Sequence, residues 1–126
     1  VVTPSTHDMS TIRGWWEENA HQTQAFYNHI LGESGKAPQF CEAHINKAII
    51  MQHLYAPAMW TTFQLQDLLG IDANLRRQNP HDERINVPAN PNHYWQYRMH
   101  MTLENLLEQD GFNNELQACI ASSGRA

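Results

Sequence analysis

The stretch TPSTHDMSTIRGWW, residues 3–16, joins an extended segment to a helix through a short polar loop. Pro4 follows a short β-branched run, which predicts the end of a strand. Asp8 or Ser10 can then cap a helix, because a short side-chain oxygen accepts hydrogen bonds from the free N–H groups of a first turn. The stretch therefore predicts a strand, a loop and a helix, which is the order of an α/β fold.

An imidazole and a carboxylate, His7 and Asp8, lie at this strand-to-helix junction. In α/β folds, functional residues gather where the chain leaves the C-terminal end of a strand. The pair is therefore a candidate functional site. The alternative, equally favoured by position alone, is that Asp8 caps the helix and His7 is an ordinary loop residue.

Two adjacent tryptophans, Trp15 and Trp16, follow on the predicted helix. Consecutive helical positions cannot both face the core, so one of the two is available to line a site. The aromatic residues Tyr94, Trp95 and Tyr97 divide in the same way between core positions and flat platforms for a ligand.

The rest of the chain is predicted to be predominantly α-helical, with one or two short strands. Apolar spacing and stop signals predict helices at about residues 20–31, 41–55 and 66–70, and from residue 102 with a break at Asp110 and Gly111. Residues 58–65, AMWTTFQL, predict a short strand because β-branched and aromatic side chains dominate them. Residues 72–91 contain three prolines and no period, which predicts a long irregular loop.

The length of 126 residues suits one ordinary domain. Two short strands cannot make a stable sheet by themselves, however, because their edges would lie open. We therefore expect residues 1–126 to be a single segment of a larger α/β domain.

The charge balance is acidic, with 13 Asp and Glu against 8 Lys and Arg. The basic residues form no stripe that could follow a phosphate backbone, which argues against nucleic-acid binding. No apolar run approaches the length of a membrane span, so no membrane partner is expected. The histidines and the two cysteines, Cys41 and Cys119, have no metal-ligand spacing, so neither a metal nor another cofactor is expected. Reduced cysteines are expected and indicate a cytoplasmic setting.

Three motifs occur in one order along the chain: TPSTHDMSTIRGWW, QLQDLLG and ERINVPANPNHYWQYRMHMTLENLL. Together they resemble the C-terminal part of the 4-α-glucanotransferases, the amylomaltase or disproportionating-enzyme family. The likeness runs from about Val1 to Arg125. It is greater to the plant cytosolic type and its bacterial relatives, because INVPAN stands at residues 85–90 where common amylomaltases read NLPGT.

The resemblance implies the C-terminal portion of a (β/α)8 barrel of the TIM type and a retaining transfer of α-1,4-linked glucosyl units to a glucan acceptor. Such chemistry needs a nucleophilic carboxylate and a general acid/base, which in the family lie upstream of this chain. The family's third carboxylate, which stabilises the transition state, falls on Asp8, and His7 beside it binds a sugar hydroxyl. The implied partners are an α-glucan or maltooligosaccharide and the remainder of the barrel, and the chain alone is expected to be inactive.

The other candidate substrate-binding residues are Trp15, Trp16, Gln66, Asp67, Asn86 and Trp95. Asp67 can equally cap the helical turn that follows it. Asn86 and its neighbour Arg84 can reach a substrate or brace their loop, and bracing is favoured because the backbone of a long irregular loop needs partners.

Two alternatives to a part of a transferase stay open. The first is a non-catalytic helical carbohydrate-binding or interaction module, suggested by the aromatic residues and by the missing catalytic pair. The second is a structural segment with no activity of its own. The sequence does not determine which maltooligosaccharide is the preferred donor, which glucan is the preferred acceptor, or the oligomeric state.

Overall fold

The computed structural model describes residues 1–125, which form six α-helices and one 3-10 turn joined by irregular segments. The elements in chain order are α1 (Ile12–Glu18), α2 (Ala20–His29), α3 (Ala43–Tyr55), α4 (Leu65–Leu69), the 3-10 turn (Pro80–Glu83), α5 (Leu103–Leu107) and α6 (Asp110–Ser122). The predominantly helical character and the long irregular loop are confirmed. Within this described part, no helix has the length and apolarity of a membrane span.

The predicted strand at residues 58–65 is wrong. Residues 1–125 contain no strand, and the only trace of a sheet among them is a parallel bridge between Val2 and Thr61. The Val2 N–H donates to the Trp60 carbonyl over 2.9 Å, and the Thr62 N–H donates to the Val2 carbonyl over 3.0 Å. The next ladder bond would need an N–H from Pro4, which proline lacks. The pairing therefore stops at one bridge.

The predicted cap of the first helix is also wrong, because Thr11 takes the place proposed for Asp8 or Ser10. The Thr11 hydroxyl accepts a hydrogen bond from the Gly14 N–H over 3.3 Å. A turn closed by the Met9 N–H on the Thr6 carbonyl delays the start of the helix. The side chain of Asp8 is consequently left outside the helix.

The break predicted at Asp110 and Gly111 lies at Glu108 and Gln109 instead. Asp110 belongs to the first turn of α6, where a negative charge is favourable beside the free N–H groups. The helix therefore begins at the residue that was expected to interrupt it.

Helix α3 is the centre of the core. It packs against α1, α4 and α6 through side chains that are at most 4% exposed, namely Ile45, Ile49, Ile50 and Leu54. Trp16 of α1 enters the same core, and its indole N–H donates to the Pro38 carbonyl over 2.9 Å. Burial of these large apolar groups is the main term that stabilises the fold.

Both cysteines are free thiols buried in this core. Burial raises the pKa of Cys41 to about 12, although the nearby Arg76 opposes the change. The thiolate is the reactive form, and burial also shields both thiols from the reagent. We therefore expect neither Cys41 nor Cys119 to react with an aromatic disulfide reagent in the folded protein. Both should react in denaturant, and mass spectrometry of the modified peptides checks both results. Rapid labelling of Cys41 in the folded protein would contradict this packing.

Gly70, at the end of α4, touches the buried amide of Asn46. A Cβ atom at Gly70 would lie 2.5 Å from the Asn46 Oδ1. The Asn46 amide cannot move freely, because its Nδ2 donates to the Asp67 carbonyl over 2.8 Å. The backbone φ of Gly70 is an ordinary −60°, so close packing alone requires glycine there.

We therefore expect Gly70→Ala to reduce the free energy of unfolding by about 1–3 kcal/mol, as overpacking does. Gly111→Ala is the matched control, since no atom lies within 4 Å of a Cβ atom there. It should be neutral or slightly stabilising. Urea unfolding of the two variants measures the difference, and equal midpoints would contradict the steric argument.

Candidate functional site

A buried ion pair fastens the long loop to α1. Arg13 Nη1 lies 2.5 Å from Glu83 Oε1, and their side chains are only 8% and 3% exposed. The second carboxylate oxygen of Glu83 accepts a hydrogen bond from the Thr11 hydroxyl over 3.0 Å. The backbone carbonyl of Glu83 accepts one from Gln66 Nε2 over 3.1 Å. Glu83 is therefore fixed from both sides.

Burial raises the pKa of Glu83, while Arg13 and the hydroxyl of Thr11 oppose that rise. Arg13 also donates to the carbonyls of Arg77 and Gln78, over 2.7 Å and 3.3 Å. One guanidinium thus holds two separate parts of the loop. A buried pair that is this fully hydrogen-bonded sets the position of the next residues in the loop.

The loop returns to the His7–Asp8 pair three positions beyond Glu83. Asn86 Nδ2 donates to Asp8 Oδ1 over 2.7 Å, and the Asn86 backbone N–H donates to the His7 carbonyl over 3.0 Å. His7 Nε2 lies 3.3 Å from the other carboxylate oxygen of Asp8. Both oxygens of Asp8 therefore face a hydrogen-bonding group, yet its side chain stays 51% exposed.

Trp95 completes this group. Its ring lies against the His7 ring, with centroids 5.0 Å apart and planes at 46°. The Trp95 side chain is exposed, so one of its faces remains open to solvent. We name the four residues His7, Asp8, Asn86 and Trp95 the acidic cluster. It combines a carboxylate, an imidazole, an amide and an aromatic ring on one open surface.

Trp15 lies outside the acidic cluster. It lines a cavity of about 490 Å³ together with Met9, Phe26 and Arg84. The Trp15 and Phe26 rings form a T-shaped pair with a centroid distance of 5.3 Å. Met9 follows Asp8 directly in the chain, so the cavity begins beside the acidic cluster.

Three predicted site residues, Trp16, Gln66 and Asp67, are buried and are not brought to the acidic cluster; none is more than 4% exposed. Asp67 Oδ1 accepts a hydrogen bond from the Ile12 N–H over 2.8 Å, and its other oxygen accepts one from the Ser5 hydroxyl. These bonds oppose the burial that raises the pKa of Asp67. Contact of the three with substrate stays a prediction, and in this structure they support the fold.

Arg13 and Glu83 were not among the predicted site residues. Each belongs to a motif that carried the family resemblance, RGWW and ERIN, but the two are 70 positions apart. Their presence in these two motifs is the only signal in the sequence that points to them. Among residues 1–125, no group of three His, Cys, Asp or Glu side chains is placed to hold a metal ion.

Comparison with known proteins identifies relatives across the chain. Residues 1–103 match the family described as 4-alpha-glucanotransferase. The 4-alpha-glucanotransferase DPE2 of Oryza sativa subsp. japonica is 39% identical over 126 residues, which are 100% of this chain and 13% of the rice protein. The 4-alpha-glucanotransferase of Aquifex aeolicus is 30% identical over 99 residues, which are 79% of this chain and 18% of that protein.

A solved structure, the amylomaltase from Streptococcus agalactiae in complex with acarbose, is similar to this chain with a TM-score of 0.70. It is 22% identical, and the match covers 98% of this chain and 21% of the solved chain. The present chain thus shares its helical architecture with part of the amylomaltase fold. It spans about a fifth or less of the length of these relatives.

Proposed function

This chain belongs to the 4-alpha-glucanotransferase family, and we propose that it supplies part of the active site of a retaining 4-α-glucanotransferase. The parent enzyme transfers α-1,4-linked glucosyl units from maltose or maltooligosaccharides to a glucan acceptor. One observation carries the proposal: Asp8 and Asn86, 78 positions apart, meet on an open surface beside His7 and Trp95.

The acidic cluster suits a sugar at the point of bond cleavage. Asp8 accepts hydrogen bonds from sugar hydroxyls, and these strengthen as the ring gains positive charge in the transition state. Interactions that are stronger in the transition state than in the ground state raise the rate. His7 donates to a neighbouring hydroxyl, while the flat faces of Trp95 and Trp15 support sugar rings.

The nucleophile and the general acid/base come from the remainder of the catalytic barrel. In this proposal the chain forms the last βα units of a (β/α)8 barrel and is inactive alone. The parallel bridge between Val2 and Thr61 supports this arrangement, because neighbouring barrel strands run parallel. The proposed setting is the cytoplasm, and no cofactor takes part.

The direct test is glucose release by the parent enzyme from maltose, with glycogen as the acceptor. Release supports the transferase. A folded parent enzyme that releases no glucose would instead favour the non-catalytic binding module. The aromatic surface around Trp95 would then bind maltooligosaccharide, which a change in tryptophan fluorescence would report.

A further inference from the structure

We infer that Asn86 is a positioning residue for Asp8, and that the buried Arg13–Glu83 pair sets the place of Asn86. The inference rests on the proposed function, because it concerns how the acidic cluster acts in the transfer reaction. It differs from a role for Asn86 in binding the substrate directly.

Two hydrogen bonds from one residue hold the His7–Asp8 segment. The Asn86 side chain donates to Asp8 Oδ1, and its backbone donates to the carbonyl of His7. With the side-chain hydrogen bond alone, the amide of Asn86 could rotate away from Asp8. The backbone hydrogen bond to His7 fixes the direction from which the amide approaches the carboxylate. The carboxylate of Asp8 is thereby held in one orientation although it is half exposed.

A series of contacts connects Asn86 to the buried Arg13–Glu83 pair. Arg84 Nε donates to the Asn86 carbonyl over 3.2 Å, and Arg84 Nη1 donates to the Ser10 hydroxyl over 3.2 Å. Glu83, immediately before Arg84, is bound to the buried guanidinium of Arg13. The loop therefore has little freedom at Asn86. A catalytic group held in advance avoids the cost of reorganisation during the reaction.

Three charged or titratable groups lie in or against the segment of residues 7–10, which contains Asp8. His7 lies beside it in its own segment, Arg84 lies behind Asn86 on the loop, and Glu18 of α1 accepts a hydrogen bond from the Ser10 hydroxyl. Asn86 is the neutral donor among them. Replacing it with a carboxylate would place two acids at hydrogen-bond distance.

Asn86→Ala should lower kcat of the parent enzyme by about tenfold to a hundredfold, the range for losing a hydrogen bond to a charged group. KM should change much less, because the positioned carboxylate acts mainly in the transition state. Asn86→Gln keeps the donor on a longer side chain and should recover part of the loss. A large rise in KM at unchanged kcat would overturn the inference and assign Asn86 to substrate binding.

Asn86→Asp tests the positioning role through the pH dependence of activity, which a purely structural role of Asn86 would leave unchanged. When the two carboxyl groups share one proton, the side chain at position 86 can still donate a hydrogen bond to Asp8. When both are ionised, the two carboxylates repel each other. The activity of Asn86→Asp relative to wild type should therefore fall as the pH rises from about 5 to about 8. Asn92→Asp, an exposed position in the same loop region, is the charge-matched control and should follow the wild-type pH profile. Equal pH profiles for the two variants would overturn the inference.

The same variants separate this inference from the proposed function. If the wild-type parent enzyme is folded but releases no glucose, the proposed function fails while the contact can still be tested. The thermal midpoint of Asn86→Asp should then fall with rising pH relative to that of Asn92→Asp, because the carboxylates repel each other. If the enzyme is active and neither the kinetic nor the thermal difference is found, the positioning role of Asn86 fails alone.

Discussion

Asp8→Asn is expected to lower kcat of the parent transferase by about a hundredfold to a thousandfold, the loss seen when one transition-state contact is removed in other enzymes. Asparagine has nearly the same shape as aspartate, and its oxygen can still accept the hydrogen bond from Asn86. The variant loses the negative charge that a positively charged sugar ring needs. The fold should survive, because the side chain of Asp8 is 51% exposed and lies outside α1.

Glucose release from maltose, with glycogen as acceptor, measures this effect, and circular dichroism of both proteins confirms folding. Asp82→Asn is the matched control, because it removes a negative charge from the 3-10 turn, next to Glu83. It should keep wild-type turnover. Near-wild-type turnover in a folded Asp8→Asn enzyme would show that Asp8 does not stabilise the transition state. His7 and Asp8 would then have only a structural role.

Arg13→Leu is expected to reduce the free energy of unfolding by about 3–5 kcal/mol, because it leaves the carboxylate of Glu83 buried without its charged partner. It also removes the donor to the carbonyls of Arg77 and Gln78. The loop should then detach from α1. Urea unfolding measures the loss, and hydrogen exchange of the amides in residues 76–86 locates it.

The pair Lys47–Glu115 provides the control, since its atoms are 2.7 Å apart but its side chains are 40% and 37% exposed. Exposed pairs contribute about 0–1 kcal/mol, so Lys47→Leu should have a small effect. Equal losses for Arg13→Leu and Lys47→Leu would show that the buried pair does not anchor the loop. The double change of Arg13 and Glu83 to leucine should recover much of the stability, because no unpaired charge remains.

The pH dependence of Arg13→Leu is set by Glu83. A carboxyl group whose pKa is raised in the folded state favours folding when protonated, and this contribution is lost as the pH rises through the folded-state pKa. Removing Arg13 removes a group that lowers the pKa of Glu83. The loss in free energy of unfolding caused by Arg13→Leu should therefore become smaller as the pH falls through the titration of Glu83. The loss should be largest at neutral pH.

The positions of several helices and the family follow from the amino-acid sequence alone. Helices α2, α3 and α4 lie close to the residues that apolar spacing and stop signals predicted, because one helical face must be buried and the chain must end each helix. The motifs around Asp8 and Trp95 were sufficient for the resemblance to the 4-α-glucanotransferases, and the match over residues 1–103 confirms it.

Which residues come together in the site depends on tertiary contacts. Hydrogen bonding across the bridge decided against the strand at residues 58–65, since Pro4 cannot continue the ladder. Packing put Trp16 in the core and left Trp15 in a cavity, a choice that adjacent positions on a helix leave open. The meeting of Asp8 with Asn86 depends on Glu83 reaching Arg13 across 70 positions. Local sequence holds no information on such contacts, because their energy comes from burying and pairing groups that only the folded chain brings together.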